Sequence, residues 1–375
     1  MTQKFSLQFI MTSIKPPPIP PRPCDRELKT RFDYYYLINC LIDKKIGTVP
    51  SKSGVVNIVD SLDKIEELRN FFTDFKKIGS ESAYGTVYSA CVNGLQEKCF
   101  KTKSSDGELK VAIKFQKLTP TEQSDFSNEN YVKDPKGIWN EIYISYKLSL
   151  SVQNDATQSA PNFPILYRTF FSNLCFQDTV EKIRYEDDSD PKYPRERVPC
   201  VMIVNELSDG DFGDFFPPPE TPKIKIDLKS FESAYLQIYM AIIAMQLNKV
   251  VHNDLYPKNI LYTRVPVEHW RYDIIIDGKT TSFILPTNGY LFKICDFGKS
   301  SINSKSFYYD TDITSITYEA VNTYPLNSKF VYIYNGQYNN TLDFVNMLKV
   351  QFKEYLADEE KPKKEINQYF KLRFA

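Results

Sequence analysis

The stretch that decides the fold is Val250–Leu261, VVHNDLYPKNIL. Two apolar residues lead in, a polar cluster follows, and a second apolar pair closes it. The chain has only two histidines and places one here, beside Asn253 and Asp254, with Asn259 five positions past the Asp. Polar groups set between apolar runs need hydrogen-bond partners. Those partners are either structural or a substrate and a metal. Immediately upstream, FESAYLQIYMAIIAMQLNKV is apolar on nearly every side, which predicts a helix buried on most faces. Downstream, YDIIIDGKTTSFIL predicts a hairpin with Asp-Gly at its turn, and LFKICDFGKSS predicts a strand that ends in Asp-Phe-Gly.

The totals bound the answer. The chain has 375 residues, 42% hydrophobic and 25% charged, with Lys+Arg and Asp+Glu balanced at 47 each. That length suits one large two-lobed domain or two ordinary ones. The charge balance gives no reason to expect nucleic acid or an anionic membrane as partner. Gly is scarce, 13 residues, so each Gly within a motif carries weight. Seven scattered cysteines (Cys24, Cys40, Cys91, Cys99, Cys175, Cys200, Cys295) form no C-x-x-C pair. They are expected to be reduced, buried thiols. The N-terminal MTQKFSLQFIMTSIK lacks a long apolar run, and the apolar stretch around Leu236–Leu247 is too short to span a bilayer. The expectation is a soluble cytoplasmic protein.

Residues 1–70 differ from the rest and are expected to form a tail and extension. KPPPIPPRP (Lys15–Pro23) must run as polyproline II. Pro17, Pro20 and Arg22 give a P-x-x-P-x-R spacing that suits an SH3-type partner; the alternative is a stiff linker. FDYYYLINCLI predicts a short buried helix or strand, and SLDKIEELRNFF a helix capped by Ser61. From Phe75 the chain turns β-rich. TVYSACV, LKVAIKFQKL, FPILYRTFF and VPCVMIVNEL read as strands, and GIWNEIYISYKLSL as a helix. The polar RYEDDSDPKYPRER reads as a solvated loop, and TLDFVNMLKVQFKEYL as a long final helix. Strands first and helices later predict an α+β arrangement of two lobes.

Four pieces then stand in order: KKIGSESAYGTVYSACV, a turn between strands; VAIK, ending in Lys114; HNDLYPKN; and CDFG. Together they resemble the signature set of eukaryotic-type protein kinases. The resemblance covers residues 71–375, with a β-rich N-lobe over about 71–206 and a mainly helical, abridged C-lobe over about 211–375. The divergences are similar to those in kinases of large cytoplasmic DNA viruses, which implies host cytoplasm or virion. The resemblance implies ATP and Mg²⁺ as cofactors. It implies that Asp254 accepts the hydroxyl proton and that Asn259 and Asp296, both hard oxygen donors, hold Mg²⁺. Lys114 would neutralise the phosphates, oriented by Glu141, with Glu129 as the rival carboxylate. Ile78, Gly79, Ser80, Ser82, Gly85, Val87 and Glu206 would complete the nucleotide site. His252 reads as structural, packed near Phe297.

The departures are specific. Ser80 and Ser82 stand where glycines are usual in the phosphate loop, and Gly79 is displaced by one residue. Asn253 replaces the Arg that receives an activation-loop phosphate in the family, which predicts a site formed without that switch. Tyr256 stands where Ser/Thr kinases carry Lys, and Lys258 two residues on, where tyrosine kinases carry Arg. Either pattern places a cation near the transferring phosphate, so Lys258 is the catalytic cation expected here. No A-P-E segment follows Gly298. Asp343 resembles the buried Asp that braces the catalytic loop in the family. The expected function is transfer of the γ-phosphoryl group of ATP to Ser/Thr hydroxyls of proteins. A small-molecule kinase of the choline or aminoglycoside type and a pseudokinase scaffold are the rival functions.

Overall fold

The computed structural model describes residues 31–46, 60–62, 71–82, 85–92, 109–128, 135–153, 160–172, 199–216, 224–302, 310–357 and 366–373. The Pro-rich tract, Glu129 and the polar stretch 184–197 lie outside them. The chain forms two compact units. One comprises Met1–Lys110, Lys114–Lys117 and Tyr167–Met202; the other comprises Val111–Ile113, Leu118–Leu166 and Ile203–Ala375. The described architecture is mixed α and β.

Strands β1 (Asp60–Leu62), β2 (Phe72–Ser82), β3 (Gly85–Val92), β4 (Lys110–Lys117), β5 (Leu166–Ser172) and β6 (Cys200–Glu206) form one sheet in the order β1-β5-β6-β4-β3-β2. The antiparallel β2–β3 pair is joined at residues 83–84, with Ile78 opposite Val87 and Ser82 opposite Gly85. Burial alternates over the first part of β3: Thr86, Tyr88 and Ala90 are buried and Val87 and Ser89 half-buried, as a two-residue period requires, before Cys91 and Val92 are both buried. Phe75, Tyr88 and Phe115 meet with ring centroids 6.0–6.2 Å apart. Gly85 is needed for space: a Cβ there would sit 2.6 Å from the Phe115 carbonyl oxygen. Helix α1 (Arg31–Ile46) takes FDYYYLINCLI and buries Leu37, Ile38, Leu41 and Ile42. Arg168 of β5 donates to Asn39 of α1 at 3.2 Å.

Two expectations fail in this unit. Ser61, expected as a helix cap, lies in β1, parallel to β5 and opposite Phe171; residues 63–70 of the expected helix lie outside the described residues. Pairing along β5 overrides the local capping signal. Nor are the cysteines all reduced: Cys40 and Cys200 are disulfide-bonded, while Cys91 and Cys295 are thiols. Cys40 lies on α1 and Cys200 at the start of β6; nothing in their spacing along the chain announces a disulfide.

In the second unit, helix α2 (Pro120–Ser127) opens with a capping box between Thr119 and Glu122. Helix α3 (Ile138–Gln153) follows. Helix α4 (Leu228–Leu247) is the core of the unit, with Phe231 to Gln246 all buried. Its interrupting Gln237 is explained by what it meets. The side chain donates to Tyr290 O at 3.1 Å and accepts from Phe292 N at 3.2 Å, tying the helix to a strand. Strands β7 (Gly210–Asp211), β9 (Ile260–Arg264) and β12 (Tyr290–Ile294) make a small sheet in the order β12-β9-β7, and β8 (Val250–Val251) pairs with β13 (Ser301–Ile302). The expected Asp-Gly hairpin is β10 (His269–Ile276) and β11 (Lys279–Pro286), with Asp277 and Gly278 both at positive φ. A C-terminal strand, β14 (Ile366–Arg373), runs parallel to β10. Helices α5 (Thr311–Thr323), α6 (Ser328–Tyr334) and α7 (Thr341–Gln351) complete the unit. The final helix is thus shorter than expected; a 3₁₀ turn, Lys353–Tyr355, replaces its last part.

Candidate functional site

VVHNDLYPKNIL runs from β8 through an irregular loop and a 3₁₀ turn (Pro257–Asn259) into β9. The loop is held from below by Asp312 on α5. Its buried carboxylate accepts the backbone N–H of His252 at 2.7 Å and of Asn253 at 3.0 Å, one bond to each oxygen. Burial pushes the Asp312 carboxyl up, and the charge of His252 and the two N–H groups work against that. Asp343, expected in this role, is elsewhere: it is half-buried and accepts from Asn339 N at 3.1 Å at the start of α7. Asp312 was missed because TDITSITYEA carries no motif. Its one signal is an acidic residue on the apolar face of an amphipathic helix.

The polar residues of the loop divide by use. His252 is fully buried; its Nε2 lies 2.8 Å from Cys295 O and its ring 5.2 Å from that of Phe297. That is the structural role expected of it. Asn253 takes φ 63°, a region Asn tolerates, and its amide donates to Lys299 O at 3.1 Å and Ser301 Oγ at 3.2 Å. A short neutral tie thus joins the loop to the segment after Asp-Phe-Gly. Asn259 donates Nδ2 to Asp254 O at 2.9 Å, which turns its Oδ1 the other way. Asp254 keeps its carboxylate half-exposed.

Asp296, two residues past the end of β12, stands in the left-handed region, φ 63° and ψ 72°, and leaves its exposed carboxylate without a cap bond to the turn that follows. Gly298 stands between two acidic oxygens. A Cβ there would lie 3.4 Å from Asp296 Oδ1 and 3.5 Å from Glu141 Oε2. Glu141 is buried in the first turn of α3, and its neighbour Asn140 donates to Ser300 O at 2.7 Å. The helix therefore carries Glu141 to the Asp-Phe-Gly turn. A second Asp-Phe-Gly occurs at residues 211–213, but there Asp211 spends its carboxylate capping Gly213 N at 2.9 Å. Backbone conformation separates the two copies; sequence does not.

The remaining candidates are placed as follows. Lys114 lies half-buried in β4, and Ile78 and Val87 are half-buried partners on β2 and β3. Gly79, Ser80 and Ser82 fall within β2, and Gly85 opens β3. Glu206, at the end of β6, turns its carboxylate inward. It accepts Ile165 N at 3.1 Å and faces the buried Lys293 Nζ at 3.4 Å. Lys258 is exposed within the 3₁₀ turn.

Among the described residues no group of three or more His, Cys, Asp or Glu side chains is placed to hold a metal. Mg²⁺ needs no such cage. It keeps several waters and is held by one or two carboxylates together with substrate phosphates. The outward Asn259 Oδ1 and the exposed Asp296 carboxylate are the oxygen donors that fit it.

No family model and no curated protein matches the sequence. Among solved structures the chain is similar to the crystal structure of a kinase domain, at 15% identity and a TM-score of 0.34, over 63% of this chain and 53% of that one. The chain thus spans about half the length of that domain, and at this score the likeness carries no argument. No helix among the described residues is long and apolar enough to cross a membrane.

Proposed function

We propose that this chain is an ATP-dependent phosphotransferase of the protein-kinase kind, which moves the γ-phosphoryl group to Ser/Thr hydroxyls of proteins. One observation carries the reading: Asp254 and Asn259 share one loop braced by Asp312, while Asp296 and Glu141 flank Gly298 in the same compact unit. Asp254 accepts the proton of the attacking hydroxyl. The hydroxyl oxygen bonds to the γ-phosphorus, the bond to the bridging oxygen breaks, and ADP leaves with that electron pair. Mg²⁺, bound at Asn259 and Asp296, supplies neutralisation of the phosphate charge. The protein's part is positioning, which is why the loop is braced from several sides.

The test is incubation of the purified full chain with Mg²⁺, labelled ATP and a mixture of casein and histones, beside Asp254→Asn and Asp296→Asn. The expected result is labelled serine and threonine, lost in both variants. Label that persists in Asp254→Asn refutes the reading. Label absent from proteins but present on choline or aminoglycosides would move the acceptor to small molecules. Mg·ATP binding without transfer to any acceptor would leave a scaffold.

A further inference from the structure

The site contains an ion pair that the motifs do not announce. Lys299, the residue after Asp296-Phe297-Gly298, places Nζ 3.1 Å from Asp254 Oδ1. The loop position expected to carry a cation holds Tyr256, which is 41% exposed. Partial burial raises the phenol of Tyr256, and the carboxylates of Asp254 and Asp296 add to that, so it lies in their field while supplying no positive charge. Lys258, the other loop cation, runs its stem toward the Gly213 turn, where a Cβ would lie 4.0 Å from Lys258 Cγ. The structure pairs Asp254 with Lys299 and not with Lys258.

The backbone around Lys299 is held firmly. Its carbonyl accepts from Asn253 Nδ2 at 3.1 Å. Ser300 O accepts from Asn140 Nδ2 at 2.7 Å, and Ser300 Oγ donates to His252 O at 3.2 Å. The side chain is 57% exposed, so the ammonium sits on a fixed base but faces the solvent side of the loop. Lys carries three donors on one compact charge, enough to hold a carboxylate and a phosphoryl oxygen together.

We propose that Lys299 is the catalytic cation of this site: it bridges Asp254 and the transferring phosphoryl group in place of the loop lysine that Tyr256 displaces. The inference rests on the kinase reading. Lys299 makes and breaks no bond. It stabilises charge on the phosphoryl oxygens as the bond to ADP lengthens. By engaging Oδ1 it also leaves the second oxygen of Asp254 to take the hydroxyl proton. Because the charge comes from beyond Asp-Phe-Gly, the loop itself can carry a tyrosine at no electrostatic loss.

The full-length wild type, Lys299→Met, Lys299→Arg and Lys258→Met would be compared with Mg²⁺, labelled ATP and the casein and histone mixture. Removing a preorganised charge from the transition state costs about 100-fold in kcat. That loss is expected for Lys299→Met, with KM for ATP unchanged, a large recovery in Lys299→Arg, and a smaller loss in Lys258→Met. A second readout needs no turnover. Aluminium fluoride added to Mg·ADP should raise the melting temperature of the wild type, and Lys299→Met should lose that increment while keeping the shift due to Mg·ADP alone. A wild type that transfers phosphate while Lys299→Met keeps its kcat, or loses only KM, overturns this proposal and leaves the kinase reading standing. A wild type that transfers nothing overturns both.

Discussion

Asp312→Asn tests what holds the loop of Val250–Leu261 in place. The carboxylate is 5% exposed and receives one backbone N–H on each oxygen, at 2.7 Å and 3.0 Å. A carboxylate accepts both. A carboxamide accepts one and turns its own N–H toward the other donor. Hydrogen bonds to a charged group contribute about 1.5–3 kcal/mol each, neutral ones about 0.5–1.5, and a stranded buried donor costs about 1–3. The variant exchanges two charged bonds for one neutral bond and strands one N–H. Against this, it removes a carboxylate whose burial already penalises its charge. The balance is a loss of about 2–4 kcal/mol. Urea denaturation reads it directly. Under the proposed function, phosphoryl transfer should fall with it, in kcat more than in KM for ATP, because Asp312 acts through the loop backbone. Asp343→Asn is the comparison. That carboxylate is half-buried and helps cap α7, which puts its loss at about 0.5 kcal/mol. If Asp343→Asn costs as much as Asp312→Asn, or if Asp312→Asn leaves stability unchanged, the brace is misplaced.

Four further expectations follow from single contacts. Lys329→Met removes the partner of Glu232, a 5% exposed carboxylate 2.8 Å away, and of Glu354; unfolding free energy should drop by about 1–3 kcal/mol. Burial pushes the Glu354 carboxyl up, but the hydrogen bond from Lys329, a backbone hydrogen bond and the charges of Lys329 and Lys353 together outweigh that and hold it below its ordinary value. A lowered carboxyl contributes stability above its unfolded value and loses it as pH falls through the folded one. The Lys329→Met deficit should therefore shrink in denaturation curves taken below about pH 4. Gln237→Leu strands Tyr290 O and Phe292 N inside the core and should cost about 1–3 kcal/mol by the same denaturation assay. Gly85→Ala forces a Cβ to 2.6 Å from Phe115 O, so a melting temperature equal to wild type would contradict the β3–β4 spacing. Reductant should free the thiols of Cys40 and Cys200 in a denatured titration and lower the melting temperature, by an amount matching about 2–4 kcal/mol per disulfide; a titration that is the same with and without reductant would show that Cys40 and Cys200 are reduced.

The fold was legible where a residue's neighbours along the chain decide its fate. The run from Phe231 to Gln246 is apolar on nearly every side, and all of it is buried. Asp277-Gly278 accepts the positive φ that a tight hairpin demands, and the hairpin forms in register on either side. It was illegible where distant segments decide. Ser61 has a capping side chain, yet β5 pairs with its backbone first. Cys40 and Cys200 look like scattered thiols in the sequence, yet both are disulfide-bonded.

The candidate site follows the same division, and the division says which residues are left for chemistry. His252 and Asn253 spend their backbone N–H groups on Asp312, and their side chains on Cys295 O, Lys299 O and Ser301 Oγ. Asn259 spends its amide nitrogen on Asp254 O. These bonds serve the loop's own shape. What the fold does not consume is the Asn259 oxygen and the carboxylates of Asp254 and Asp296, the first of these paired with Lys299 and the second without a cap bond. A motif names all of these polar residues alike. Only the bonding separates those that hold the loop from those the loop exists to hold. Lys299 shows why the distinction has consequences. Counted along the chain it is 45 residues from Asp254 (299 − 254) and belongs to another motif; in space it is the cation the carboxylate meets. A charge needed at a reacting centre is specified by distance from that centre, so its source can move from one segment to another while the chemistry stays the same.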